Sequence, residues 1–426
     1  MKSFNTTLGS YMPAFFHMDL SFPFPGGERT LERISEKNMS VFLHEYIHFL
    51  QDISTHIGYN NLYVYSEYLH GAVNYIYKLP KGKIKLPITF TNNFANIALN
   101  KFINEETAGT MEDIDDFFLT KIKIKKIPVP YTNPFVKNLE KIELCSTKGK
   151  RVEFGYRAIM ESMAYLIERK ISRGSTTPPD YPYFSAEMVV NHLYKDFGDD
   201  PLKIIALCDM SLQFSDPAKT FIQTLIKFKE MKFNPTRAND IIDYFYNQCI
   251  QMRKSTKFVS DLIKMGFMIG DCLKSYMNGS FFKPFHDLVH TMIGFGIKQR
   301  IMNRYFMLDI ARNGEFMTNS TLAYCINTVG TPVIKDCNEE YWIIPPIGKE
   351  YIFTWLEYFP AIETIYNTLA KKSNICDMLF WCMNSPKEIV DDKCSQEPWS
   401  RIKDEVLCPY ALLWKHWNLS GYIPFL

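Results

Sequence analysis

The chain has 426 residues, of which 46% are hydrophobic, 15% aromatic and 22% charged, with a formal net charge of +2. This length exceeds one ordinary core, and the composition excludes bulk disorder. The charge supplies no field for nucleic acid or an anionic membrane, and ten cysteines, none before Cys145, are too sparse for a disulfide scaffold.

Taken in chain order, "MKSFNTTLGSYMPAFFHMDLSF" carries one lysine and then polar residues where a signal peptide would have its apolar core. No run of about eighteen apolar residues follows, so no membrane span is expected and the protein reads as cytoplasmic. "FPFPGGERT" (22–30) is a turn-rich lead into the first long helix.

That helix is "SVFLHEYIHFLQDISTHIG" (40–58), with Ser40 in the N-cap position and Gly58 in the C′ position. At about 100° per residue, Leu43, Ile47, Leu50 and Ile57 gather on a core-facing side. His44 and His48 lie about 40° apart and one turn along, so both imidazoles point the same way; Gln51 and Thr55 continue that face. Glu45 sits about 100° round from His44, in reach of a water between the imidazoles but not in line to be a ligand. Two neutral imidazoles holding an ion and an adjacent carboxylate moving a proton is the division of labour that zinc hydrolysis needs. An accidental H-E-x-x-H is expected in about one chain in a hundred of this length and composition. The structural alternative is two partly buried histidines satisfied by neighbouring carboxylates.

Two basic stretches follow. In the second, "LTKIKIKKIPVPY" (119–131), Lys121, Lys123 and Lys125 alternate with Ile122 and Ile124, the pattern of a half-exposed strand whose lysines protect a sheet edge. The sharper alternative for that edge is addition of an extended peptide. "EKIELCSTKGKRVEFGY" (140–156) reads as a hairpin turning at "TKGKR" (147–151), and "GYRAIMESMAYLIERKIS" (155–172) as a helix. "SRGSTTPPDYPY" (172–183) is the clearest boundary signal in the chain.

A catalytic zinc site needs a third protein ligand and one open position. His56 lies eight residues beyond His48 on the same expected helix, about 12 Å along its axis and out of reach. Gln51 and Ser54 stand where the metzincin pattern needs a glycine and a histidine. Glu161 is the stronger candidate, a carboxylate among Met160, Met163 and Ala164 that is costly to bury unless paired. Ala164 is small enough for a close approach to the histidine helix. Glu168 is the alternative, although its place near the basic end of the helix reads as solvated.

His44-Glu45-x-x-His48 on one helix and Glu161-x-x-Ala164 on a later one resembles the gluzincin arrangement of zinc metallopeptidases. "HEYIHFLQ" and "GYRAIMESMA" also resemble stretches of poorly characterised bacterial HExxH proteins. The resemblance covers about residues 38 to 170 and implies Zn2+ held by His44, His48 and Glu161, with Glu45 as general base. It departs from the family in the 112 residues between His48 and Glu161. Of the nearby Tyr156, Tyr165, Tyr181 and Tyr183, none stands out as the oxyanion-stabilising group.

Beyond residue 180 the pattern is mainly helical, with Asp200-Pro201 and Asp216-Pro217 as helix starts. His286 and His290 are four apart without a recognisable third ligand and read as structural. Cys376, Cys382, Cys394 and Cys408, with His416 nearby, lack a C-x-x-C knuckle, their gaps being five, eleven and thirteen residues. "YALLWKHWNLSGYIPFL" (410–426) reads as a tail docked in the core.

The expectation is a predominantly helical α+β protein. A zincin-like unit with a small sheet spans 1–180, and a helical domain shaping the cleft spans 181–426. The expected function is a zinc-dependent peptidase acting on a peptide or protein substrate, with a possible protein partner for the helical half. The alternatives are a metal-binding regulatory protein without turnover, or a zinc amidase acting on a non-peptide substrate.

Overall fold

The computed structural model describes residues 8–27, 29–90, 94–130, 137–174, 177–198, 200–251, 257–349, 357–370, 375–384 and 390–425. Residues 1–7 of the N-terminal stretch and 175–176 of the boundary loop lie outside the described residues. The first half holds strands β1 (Gly9–Met12) and β2 (His17–Leu20), then helices α1 (Glu36–Ser54) and α2 (His56–Ile76). Strand β3 (Gly82–Lys85), helix α3 (Ala95–Ala108), strands β4 (Leu119–Pro128), β5 (Asn138–Ser146) and β6 (Arg151–Phe154) and helix α4 (Tyr156–Ile171) follow. The chain then turns almost wholly helical: α5 (Asp180–Tyr183), α6 (Ser185–Leu193), α7 (Pro201–Ser211), α8 (Pro217–Glu230), α9 (Ala238–Gln251), α10 (Lys257–Tyr276), α11 (Lys283–Met302), α12 (Phe306–Arg312) and α13 (Ser320–Val329). Strands β7 (Val333–Lys335) and β8 (Tyr341–Trp342), helices α14 (Tyr358–Leu369), α15 (Leu379–Asn384), α16 (Lys393–Gln396) and α17 (Pro409–His416), and strand β9 (Tyr422–Phe425) complete it. The fold is α+β and predominantly helical, as expected from the pattern.

Three small sheets brace the helices. β4, β5 and β6 form an antiparallel meander with β4 at its edge. The lysine-alternating segment is therefore an edge strand, and Lys123 and Lys125 reach across to Glu143 on β5. The other two sheets join distant parts of the chain. β2 pairs in parallel with β7, His17 opposite Val333, in a sheet ordered β1-β2-β7-β8, and β3 pairs in parallel with β9, Gly82 opposite Tyr422. The C-terminal tail is docked, with Leu413, Trp414 and Leu419 fully buried.

α1 is the central element. Leu43, Ile47 and Leu50 are fully buried on one side, and Phe42, Tyr46, Phe49 and Ile53 are fully buried as well. Each such side chain contributes about 1.5–3 kcal/mol by leaving water. The helix differs from its expected limits at both ends. Ser35, not Ser40, caps it, its hydroxyl accepting from Asn38 N at 3.3 Å, which frees Ser40 for a role within the helix. At the far end Thr55 takes an extended backbone (φ −123°, ψ 157°) and its hydroxyl caps α2 by accepting from Gly58 N at 3.1 Å. A β-branched residue with a capping oxygen favours that break. His56 therefore opens α2 rather than continuing α1. Gly58 is needed for close approach, since a Cβ there would lie 2.2 Å from Asp52 O.

α11 crosses the end of α1, and a Cβ on Gly296 would fall 1.6 Å from Ile53 O, so only glycine fits. Beside that crossing Arg300 forms a two-pronged pair with Asp209 of α7, at 2.8 and 2.6 Å. Its Nε donates to Ser54 O at 2.7 Å, tying α11 and α7 to the last turn of α1. Asp200 and Asp216 cap α7 and α8 with proline in the first turn, as their sequence signals require. Among the described residues no helix is long and apolar enough to cross a membrane.

Candidate metal centre

α1 and α4 pack antiparallel, and the pairs that join them run in opposite numerical order: Ser40 with Glu168, His48 with Glu161, Gln51 with Met160. Ala164, fully buried, is the small residue that this close approach needs.

Three side-chain atoms converge where the helices meet. Glu161 Oε2 lies 3.1 Å from His44 Nε2 and 3.2 Å from His48 Nε2, and the two Nε2 atoms are 3.2 Å apart. A tetrahedral ion bonded at about 2.0–2.1 Å separates its ligand atoms by about 3.3 Å, so this near-equilateral triangle has the size of one face of such a site. Three hydrogen bonds do not explain it as well, because a ring N–H aims at one acceptor and the two rings face each other nitrogen to nitrogen. Among the described residues this is the one group of three His, Cys, Asp or Glu side chains whose ligand atoms lie within 4.8 Å of one another. The residues fit a divalent cation, and the His-x-x-x-His spacing is that of HExxH motifs.

The outer nitrogens of both rings are also held. His44 Nδ1 meets Glu168 Oε2 at 3.0 Å, and Ser40 Oγ donates to the other oxygen of that carboxylate. His48 Nδ1 donates to Gln51 Oε1 at 2.8 Å, and Gln51 Nε2 donates to Met160 O at 3.1 Å. Such partners fix which nitrogen faces inward and how each ring is turned. Glu168 thus stands behind a histidine and not among the three converging atoms. The signal for it was present: seven residues from Glu161 is two helical turns, so both carboxylates share a face.

Charge follows the same arrangement. Burial would raise the Glu161 carboxyl, but the two imidazoles beside it hold it well below its usual range. Burial would lower His44, yet its contacts with Glu161 and Glu168 raise it well above the ordinary histidine value. Glu45, buried and without a hydrogen-bonding partner among the described residues, is pushed up to about 7, by burial first, against the pull of His44 and His48. Gly9 of the edge strand β1 packs on it; a Cβ there would come 2.9 Å from Glu45 Oε1.

A cleft of about 380 Å³ opens on His44 and Glu45, walled by Leu8 and Gly9, by Asp113 and Asp115, and by Thr177, Pro178 and Pro179. Of the four tyrosines near Glu161 in sequence, Tyr183 packs its ring on His44 and lines the cleft. Its ring centre is 5.7 Å from that of His44, and burial and the charges of Glu161, Asp113 and Glu45 push its hydroxyl up. Tyr181 is fully buried with its hydroxyl on Glu153 O at 2.8 Å, Tyr156 is buried in the core, and Tyr165 packs edge-on against Tyr183 and Phe184.

The other sequence candidates lie elsewhere. His286 Nε2 donates to Met277 O at 2.6 Å, and His290 packs against Gly270; neither joins the triad. His56 is half-buried at the start of α2.

Fold and site together define a predominantly helical α+β protein with a two-histidine, one-glutamate centre able to hold a metal ion. No protein-family model matches the chain, and comparison with curated proteins and with solved structures gives no match.

Proposed function

We propose that the protein is a zinc-dependent hydrolase of gluzincin type, acting on a peptide bond. The observation that carries this reading is the triangle of His44, His48 and Glu161, assembled from helices more than a hundred residues apart, with Glu45 beside it and a cleft in front. A divalent ion there would activate a water and polarise a carbonyl oxygen. Glu45 takes the proton of the attacking water and delivers it to the leaving amine. A purely structural centre has no use for such a group, buried and turned to the cleft. Tyr183 donates its hydroxyl to the substrate oxygen as charge develops on it.

Metal analysis and peptide hydrolysis of the purified chain test the reading. Wild type should hold close to one zinc at this centre, lost in His48→Ala and in Glu161→Ala. Glu45→Gln should keep the metal and lose at least a thousandfold in kcat. A Glu45→Gln protein as active as wild type would show that the centre turns nothing over. Tyr183→Phe should lower kcat by about 10- to 1,000-fold with metal content and KM little changed.

A further inference from the structure

The C-terminal region brings four cysteines together from separate segments. Cys376 precedes α15, Cys382 lies on α15, Cys394 on α16, and Cys408 occupies the N-cap of α17. All four line one small cavity of about 10 Å³, closed off by Met378, Pro398, Arg401 and Tyr410. That volume admits about one water-sized sphere. Cys376 and Cys394 are buried, and a backbone bond from Cys376 N to Cys394 O, 3.0 Å, fixes one side of the cavity.

We propose that Cys376, Cys382, Cys394 and Cys408 form a second metal site, a four-thiolate centre that takes one Zn2+. The surroundings already donate to sulfur: Arg401 Nε to Cys394 Sγ at 3.0 Å, and Ala411 N to Cys408 Sγ at 3.5 Å. The side chain of Arg401 is only 3% exposed and is held by Asp391 at 2.6 Å and Asp404 at 2.8 Å, which fixes its Nε toward the Cys394 sulfur. Tetrahedral four-sulfur sets select Zn2+ or iron–sulfur clusters, and a cavity for one small sphere favours the single ion.

On binding, four S–H bonds lose their protons to solvent and four Zn–S bonds form, with no change of oxidation state. In a Zn–S cage with bonds of about 2.3 Å the sulfurs stand about 3.8 Å apart. Among the described residues no three of these sulfurs lie within 4.8 Å of one another, so binding draws them inward and ties α15, α16 and α17 together. The sequence pattern singled out these four cysteines but, without a C-x-x-C knuckle, gave no reason to read them as ligands.

Zinc stoichiometry of the full chain, read beside variants of each centre, tests the proposal. Wild type should carry two zinc ions, and the variant with Cys394→Ser and Cys408→Ser one. A variant with His44→Ala and His48→Ala should keep the zinc that the cysteine variant loses. Should the cysteine variant not fold, the wild type itself suffices: exchange into Co2+ should produce an intense thiolate-to-cobalt absorption in the near ultraviolet. Four thiols should also be slow to react with a disulfide reagent until a chelator is added. Absence of the thiolate band, with those thiols freely reactive before chelation, would overturn the proposal, as would an iron–sulfur chromophore. None of these readouts depends on hydrolase activity.

Discussion

Glu168 shows how much of this centre rests on a residue that is not one of the three converging side chains. Its carboxylate holds His44 Nδ1 at 3.0 Å while Ser40 holds the carboxylate. Glu168→Gln keeps the shape but removes the charge, and metal affinity is expected to fall about 10- to 100-fold in a chelator competition, as it does when such partners are lost. A second carboxyl, half-buried, predicts a pH effect. Asp377 is pushed up to about 6, by burial first and then by Glu363, although the Thr364 hydroxyl donates to it at 3.0 Å. A carboxyl with a raised folded pKa binds its proton more tightly folded than unfolded. Its stabilising contribution is therefore present at low pH and is lost as pH rises through about 4 to 6. Asp377→Asn should abolish that loss and gain on the order of 2–3 kcal/mol relative to wild type at pH 7, measured by urea unfolding at pH 4 and pH 7. At this scale the grouping of His44, His48 and Glu161 was legible in the sequence because a one-turn spacing and a carboxylate in an apolar helix are local signals. The partners of Asp377 and the place of Tyr183 were not, because both depend on which helices meet.

At the scale of elements, the sequence carried the hairpin, the helix of Glu161 and the capped starts of α7 and α8 correctly, since turn and cap chemistry lies within a few residues. It misplaced both ends of the first helix. Ser35 and Ser40 are both able to cap, and only the packing of Ser40 against Glu168 decides between them. The break at Thr55 likewise depends on Gly58 meeting Asp52 and on Arg300 gripping Ser54 O. That grip gives a sharp prediction. Arg300 and Asp209 side chains are each 1% exposed, so Asp209→Ala leaves a buried charge unpaired and should cost about 3–5 kcal/mol in urea unfolding. Replacing both, with Arg300→Met and Asp209→Leu, should recover most of that loss.

Over the whole molecule, apolar side chains from the first strands to the last form one continuous buried cluster. The tail belongs to it: Leu419 is fully buried, and the Tyr422 hydroxyl donates to Leu79 O at 3.2 Å. Deleting residues from Leu419 onward removes β9 and leaves β3 without its neighbour. A markedly lower thermal midpoint is expected, and an unchanged one would show that the tail adds nothing to stability. The parallel pairings have a further consequence during synthesis. Opposite His17 stands Val333, 316 positions later by subtraction, and opposite Gly82 stands Tyr422. At about 5–20 residues added per second, β2 waits roughly 15–60 s on the ribosome before its partner exists. The helices that carry the two histidines and Glu161 emerge well before then. The nascent chain therefore has the residues of its candidate metal centre early, while the edge of β2 away from β1 stays unpaired until Val333 is made.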